Sequence, residues 1–534
     1  MQTPLESFID HKADTGMQCG NYSIDIPKPK EGEQYRFHFD ATVCVGCHCC
    51  EVACNEQNNN PADIKWRRVG EMEGGEFPAF SQLFNSMSCN HCVDPECLIG
   101  CPTNSYIKIE ESGIVIHDDD SCIGCQYCTW NCPYGVPTYH EERSIVTKCD
   151  MCHDRLEEGQ TPACVQACPS GAIMIETVNV EEWLASDIDN QANMPFLPDA
   201  RITNSTTRYT LPDKLPLMHE VDEHILKPAH SEFPLVFMTV LTQISLGGFL
   251  VLFLGDVLSL FGFESANWIM ASLVMLPAVL GLPLSALHLG RPYLALTAMK
   301  NIKTSWLSRE ALALGVFVAL MFGVIAIYYL ELPTYIRLSV ELVTLLVGIY
   351  GIYAQSMIYR IKARPSWNRE TTNIKFFGVA YVGSLMMGLL AVVLGMEDIV
   401  TPLIVLGMLG ALAQMFFSFE DLRELKVPQE NEYQLKRTAR LYDENFKNVK
   451  LFRFISLILG GLILPLLVIV QVSADSFGGA SLTMLLSLIL VISSEFSDRF
   501  LFYATVVPLG MAGGFFLWGN RDSYFCLSII MIVM

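Results

Sequence analysis

The chain has 534 residues, 51% hydrophobic and only 17% charged, with a mean hydropathy of +0.33. Soluble domains carry about 25% charged residues, so this composition excludes an ordinary cytosolic enzyme, a disordered chain and a fibrous repeat. The net charge of −21 is confined to one part: residues 1–232 hold 15 Lys and Arg against 37 Asp and Glu, residues 233–534 hold 20 against 19, and an acidic first part argues against nucleic acid as a partner.

Residues 1–34 form a polar extension with no apolar run and no twin-arginine pair, so no export signal is expected there. Residues 35–180 carry nearly all the cysteines, in four blocks. Block one is Cys44-x2-Cys47-x2-Cys50-x3-Cys54, and block two is Cys89-x2-Cys92-x4-Cys97-x3-Cys101-Pro102. Block three is Cys122-x2-Cys125-x2-Cys128-x3-Cys132-Pro133, and block four is Cys149-x2-Cys152-x11-Cys164-x3-Cys168-Pro169. Three closely spaced thiolates on a tight loop can grip three irons of one cubane, and the fourth, a helical turn on, ligates a neighbouring cluster. Sixteen cysteines in four blocks predict four [4Fe–4S] clusters in two pairs. A disulfide framework calls for a small secreted domain, and structural zinc for paired C-x2-C hooks. Neither matches these runs. Block one lacks the proline after its last cysteine, where Asn55 follows. Cys125 stands at the second ligand position of block three, so no three-iron centre is expected. Cys19, Cys49 and Cys526 are left over, and Cys49 is read as a bystander thiol.

Between the blocks the sequence reads as short strands and turns. Tyr35–Asp40 and Ala172–Val178 are expected strands. Tyr106–Glu110 and Ile114–His117 alternate around Glu111-Ser112-Gly113, a hairpin signal. Residues 181–232 are rich in Pro, Asp and Asn and are expected to run as an extended connector over the surface of the preceding domain.

A membrane-spanning helix needs about 20 mostly apolar residues. Eight such stretches follow, near 234–262, 267–287, 310–330, 336–359, 376–396, 401–418, 454–473 and 482–508. They make residues 233–510 a membrane anchor and leave 511–534 as a C-terminal tail. Glycines recur within them (Gly247, Gly248, Gly407, Gly410, Gly460, Gly461), as close helix packing in lipid favours. The connections after helices two, four and six carry seventeen Lys and Arg, and the other connections only Arg337. With even parity the basic loops share a side with the first domain, and the positive-inside rule puts that side in the cytoplasm. The basic loops could instead serve to dock the acidic domain, on whichever side it lies.

A six-coordinate haem needs two axial ligands, and downstream of His230 the only histidine is His288, so no such haem is expected. Electrons must then pass directly between a cluster and a carrier in the bilayer, most simply a quinone, which takes two electrons and two protons. Ionisable groups inside membranes are costly and usually functional. His288, in Leu287-His288-Leu289-Gly290-Arg291-Pro292, is the candidate proton exchanger and hydrogen-bond partner to a quinone oxygen. Glu310, opening helix three, is the candidate relay for the second proton. Asp256 and Glu341 are weaker candidates, and Glu495 and Arg499, four apart, are expected to pair with each other.

Residues 35–180 resemble the four-cluster electron-transfer subunit of the dimethyl sulfoxide reductase family, through SCNHCVDPECLIGCP, SCIGCQYCTWNCPYG, TKCDMCHDRLEEG and CVQACPSGA. Residues 233–515 resemble that family's eight-helix, haem-free, quinone-binding anchor, through FPLVFMTVLTQ, SALHLGRP, SWLSRE and SSEFSDRFLFY. In that family the two are normally separate chains; here they look fused. The resemblance implies an α+β bacterial-ferredoxin-like domain of two dicluster pairs followed by an all-α eight-helix transmembrane bundle. It implies nested ligation: Cys44, Cys47, Cys50 and Cys168 for one cluster, and Cys89, Cys92, Cys97 and Cys132 for a second. Cys122, Cys125, Cys128 and Cys101 would hold a third, and Cys149, Cys152, Cys164 and Cys54 a fourth. Spacing alone leaves sequential pairing open. The resemblance carries the quinone role onto His288 and Glu310 and implies a molybdopterin catalytic subunit as partner. The dimethyl sulfoxide reductases act outside the cytoplasmic membrane of bacteria, whereas the charge pattern here points inward, as in sulfite-oxidising relatives. The electron direction is therefore open. The alternative from another class is a redox-driven ion-translocating module, which requires a continuous chain of buried ionisable residues across the bundle.

Overall fold

The computed structural model describes residues 26–511 except 27, 187, 259–266 and 428–431. They form two compact units, one whose described residues run to Ile225 and return at Leu509, the other from Leu226 to Pro508. Most of the polar extension, Cys19, Cys526 and nearly all of the tail lie outside the described residues.

The first unit is a small α+β domain. Its centre is β1 (Glu33–Asp40), buried on one face through Tyr35, Phe37 and Phe39 and on the other through Gln34, Arg36 and His38. β1 pairs antiparallel with a strand at Ile173–Asn179, in the register Phe37 opposite Ile175. The aromatic and β-branched residues that made both segments expected strands are those that fit a pleated buried surface. The expected hairpin is present as Tyr106–Lys108 against Val115–His117. Two further hairpins, Arg68–Gly74 with Ser81–Met87 and Thr138–His140 with Ile145–Thr147, were not signalled by the sequence.

Residues 181–232 do more than lie over this domain. Arg208–Thr210 joins β1 as a parallel neighbour, and Met218–Glu220 extends the Arg68–Gly74 hairpin. Buried side chains fasten the segment to block two and to β1: Thr207 Oγ1 donates to Asn90 Oδ1 (2.9 Å), and Gln34 Nε2 donates to Thr206 Oγ1 (2.7 Å). Pairing with strands far away in sequence needs no local periodicity, so the composition read as a connector.

An ion-pair set clamps β1 to its antiparallel neighbour. Glu176 accepts from Arg36 (2.8 and 3.0 Å) and lies 2.8 Å from His38 Nδ1. The His38 hydrogen bond and the Arg36 charge outweigh burial and hold the Glu176 carboxyl at about 2. A carboxyl lowered in the folded state contributes stability above its unfolded value, near 4.3, and loses it as pH falls towards 2. Glu176→Gln should therefore speed hydrogen exchange of the β1 amides about tenfold at pH 7, roughly 1.4 kcal/mol. That difference should shrink as pH falls from about 4.5 towards 2.

Among its described residues the second unit contains eight helices long and apolar enough to cross a membrane, matching the eight expected stretches: Phe233–Val257, Trp268–His288, Trp306–Tyr329, Thr334–Met357, Glu370–Val393, Glu397–Glu424, Lys447–Ser473 and Phe477–Ala504. They are called the first to eighth spans below. The fifth is interrupted between Gly378 and Tyr381, and the seventh contains a π turn at Leu459–Ile463. Small residues set the closest approaches. A Cβ on Gly247 would sit 1.9 Å from the Ala380 carbonyl oxygen at that interruption, and one on Gly383 would sit 2.0 Å from the Gly248 nitrogen. The first and fifth spans therefore touch backbone to backbone, where dispersion and packing replace the hydrophobic drive that lipid removes. Gly247→Val should lower the thermal midpoint of the detergent-solubilised protein, at a cost of about 1–3 kcal/mol or more. Gly315→Ala, whose new Cβ meets nothing within 4 Å, should leave the midpoint unchanged.

Candidate iron–sulfur and quinone sites

Each cysteine block is a tight loop running into a short helix. In block one the loop turns through left-handed Gly46 and His48 before the helix Cys49–Asn58; in block three it turns through left-handed Gly124 and Gln126 before Tyr127–Asn131. This alternation curls the backbone around a central point. A glycine meets the left-handed requirement without strain. Cys97 lies on the helix Glu96–Gly100, and Cys164 on Ala163–Gln166.

The thiols gather across blocks. Cys44 interacts with Cys168 and Cys47. Cys54, at the end of block one, interacts with Cys164 and Cys152, and Cys149 with Cys54. Cys97 interacts with Cys89, Cys132 and Cys92, and these four line one cavity. Cys128 interacts with Cys125, Cys101 and Cys122. Cys50 faces Ser86, with Sγ 3.3 Å from its hydroxyl, and its strongest thiol neighbour is Cys164 rather than Cys44 or Cys47. Cys49 is exposed and hydrogen-bonds Cys47.

The electrostatics suit a buried anionic group. Burial pushes the thiols of Cys50, Cys132 and Cys152 to about 11 and that of Cys54 to about 12. Burial raises Cys122 as well, but hydrogen bonds from His117 and from the Val146 amide outweigh it and lower this thiol. Arg67 is fully buried among the block-one and block-four thiols. Its guanidinium lies 4.6 Å over the Phe37 ring and donates to Ser86 O (3.1 Å) and Ser88 Oγ (2.8 Å). Desolvation opposes its charge, and the thiols of Cys164, Cys50, Cys149 and Cys54 restore it. Lys148, also buried, donates to the Val115 and Cys149 carbonyls, and Lys108 donates to those of Cys92 and Val93. Converging thiols with fixed cations beside them fit iron–sulfur clusters, whose thiolate ligands carry net negative charge. The sequence reading missed all three cations. Lys148, next to Cys149, carried the clearest signal.

In the second unit, His288 and Glu310 each have a buried partner. His288 Nδ1 lies 2.8 Å from Glu232 Oε2, and His230 Nδ1 lies 3.4 Å from Glu232 Oε1. Burial alone would raise the Glu232 carboxyl; the hydrogen bonds from His230 and His288 win and hold it at about 2. Glu310 accepts from Gln355 Nε2 (2.9 Å), Gln355 Oε1 accepts from Gln243 Nε2 (2.7 Å), and Gln243 Oε1 accepts from Arg499 (3.2 Å). The Tyr359 and Tyr503 hydroxyls meet at 2.5 Å, and both rings interact electrostatically with Glu310. These residues come from the starts of the first and third spans and the ends of the second, fourth and eighth, so they gather at one end of the bundle. Glu232, Gln355, Gln243 and the two tyrosines were not expected from sequence. Glutamine in an apolar helix was the available signal.

Asp256 and Glu341 lie near the opposite ends of the first and fourth spans. Arg337 donates to both Asp256 oxygens (2.7 and 2.8 Å), and Tyr328 donates to Glu341 (2.5 Å). The expected pairing of Glu495 with Arg499 is corrected. Glu495 accepts from Tyr381 (2.8 Å) and Gln414 (3.2 Å), while the Arg499 guanidinium stacks 3.7 Å over Phe376. Four-residue spacing placed them on one face, but the partners offered by neighbouring helices drew the two apart. Further buried pairs, Lys375 with Asp421 and Arg453 with Asp498, line the second half of the bundle.

Residues 80–178 match a family described as "4Fe-4S dicluster domain", and residues 227–505 match "DMSO reductase anchor subunit (DmsC)". A polypeptide of the anaerobic dimethyl sulfoxide reductase of Escherichia coli (strain K12) is 41% identical over 148 residues, covering 26% of this chain and 72% of the relative. Its Haemophilus influenzae counterpart is 38% identical over 180 residues, 32% of this chain and 86% of the relative. A sulfite dehydrogenase subunit of Allochromatium vinosum is 35% identical over 161 residues, 26% of this chain and 67% of the relative.

Proposed function

This protein belongs to the dimethyl sulfoxide reductase family, as an iron–sulfur electron-transfer subunit continuous with a multi-pass membrane anchor, and from that premise we propose how its residues carry electrons between a molybdopterin catalytic subunit and a membrane quinone. Four [4Fe–4S] clusters, when bound, supply the one-electron steps. The grouping of Cys54 with Cys149, Cys152 and Cys164, and of Cys101 with Cys122, Cys125 and Cys128, supports the nested assignment over the sequential one. Cys132 would complete the set Cys89, Cys92 and Cys97, and Cys168, beside Cys44 and Cys47, would complete their set with Cys50, whose strongest thiol neighbour is Cys164. Arg67, Lys148 and Lys108 offset the negative charge of these sets.

At the other end of the reaction, His288 and Glu310 serve a quinone, His288 oriented by Glu232 and Glu310 by Gln355. The linked polar side chains behind Glu310 give protons exchanged with a quinone oxygen a held position. The observation that carries this reading is the convergence of buried ionisable groups from five spans at one bundle end, because such groups persist in an apolar bundle only when partnered and are usually functional there. The relatives include both a dimethyl sulfoxide reductase polypeptide and a sulfite dehydrogenase subunit, so either electron direction suits the wiring. The seventeen Lys and Arg of the alternate loops support a cytoplasm-facing iron–sulfur unit in a bacterial inner membrane.

Two measurements test this. His288→Ala and Glu310→Gln should slow quinol-dependent cluster reduction, each by about 10²-fold or more, with iron content unchanged. Unaltered kinetics in either variant would remove that residue from the site. Cys54→Ser should alter the paramagnetic signal of the cluster held by Cys149, Cys152 and Cys164; an altered signal from the Cys89, Cys92 and Cys97 set instead would establish sequential pairing.

A further inference from the structure

The second half of the bundle holds a feature that the reading above does not use. Between the fifth and sixth spans lies a groove of about 500 Å³, lined by residues of those two spans alone. Its walls are apolar, formed by Ile374, Phe377, Ala413 and Phe417, and its floor is Tyr381 and Gln414. Two glycines shape the floor. A Cβ on Gly378 would sit 2.2 Å from Gln414 Oε1, and one on Gly410 would sit 2.2 Å from the Tyr381 Cβ.

Gln414 is 2% exposed, and its amide is half satisfied. Nε2 donates to Glu495, which also accepts from Tyr381, while Oε1 is buried with no hydrogen-bond partner. Asn373 Oδ1, in the same lining, is likewise buried and unpartnered. An orphaned buried acceptor costs about 1–3 kcal/mol, and here two such acceptors line one apolar groove. The complement is a flat apolar ring carrying hydroxyl donors. An acyl tail brings no donor, and a phosphate would set negative charge against acceptor oxygens.

We propose that the groove between the fifth and sixth spans is a second quinol-binding site, in which a ring hydroxyl of an isoprenoid quinol donates to Gln414 Oε1 and the ring lies between Phe377 and Phe417. It rests on the reading that this chain works with a membrane quinone, and it is separate from the His288–Glu310 position.

The test is photolabelling of the full chain in proteoliposomes with an azido-quinol bearing a short isoprenoid tail, followed by peptide mapping. Label is expected on residues 410–417 and to be displaced by unlabelled quinol. It should fall at least tenfold in Gln414→Leu, which removes the acceptor, and in Ala413→Trp, which fills the groove without touching the Gln414–Glu495 contact. Label at 285–310 should be unchanged in both variants. Absence of label at 410–417, undiminished label in either variant, or displacement by phosphatidylglycerol in place of quinol would overturn the proposal. Label at 410–417 with none at 285–310 would overturn the His288–Glu310 assignment and leave this site standing.

Discussion

A buried thiol is tolerable and a buried unpaired thiolate is not, and the first unit is arranged around that constraint. Cysteines occupy core positions beside Tyr35, Phe37 and Phe39, where leucine or valine would stand in a domain that closes on its own side chains. Burial forces several of their thiols upward, so ionised ligands require a compensating positive group. Bound iron would supply most of it, and fixed cations the rest. The thiols around Arg67 offset the desolvation of its buried guanidinium. Strands and helices of three to ten residues suffice because the inorganic groups take the place of an extended apolar core.

The anchor obeys the opposite solvent. In lipid the polypeptide gains little from burying leucine, so association depends on backbone proximity at Gly247, Gly248 and Gly383 and on polar side chains satisfied between helices. Charge is accordingly kept in local sets. One gathers Glu232, His288, Glu310 and Arg499 at one end, a second pairs Asp256 with Arg337 at the other, and a third runs through Lys375, Asp421, Arg453, Asp498 and Glu495 in the second half. The interruption of the fifth span beside Gly378 serves two purposes: it lets Gly247 meet the Ala380 carbonyl, and it opens space over Gln414.

Much of this was legible in the sequence. Cysteine spacing is a metal-ligand grammar, and eight apolar stretches of sufficient length permit one solution in a bilayer, so both units and every span could be read directly. β1 and its antiparallel partner were visible because their aromatic and β-branched residues announce buried strands. What escaped were contacts made at long range. Arg208–Thr210 pairs with β1 across about 170 residues, and no local pattern records that. Arg67 reads as a surface arginine until the thiols surround it. Glu495 and Arg499 illustrate the converse: spacing correctly placed them on one helix face, but it carried no information about Tyr381, Gln414 and Phe376 waiting on adjacent helices.

The most direct measurement is the iron and acid-labile sulfide content of the intact chain, purified without oxygen and without chelators. Four cubanes require about sixteen irons and as many sulfides per polypeptide. A value near half of that or below, in protein whose helices and strands are intact, would contradict a core built on sixteen ligating cysteines.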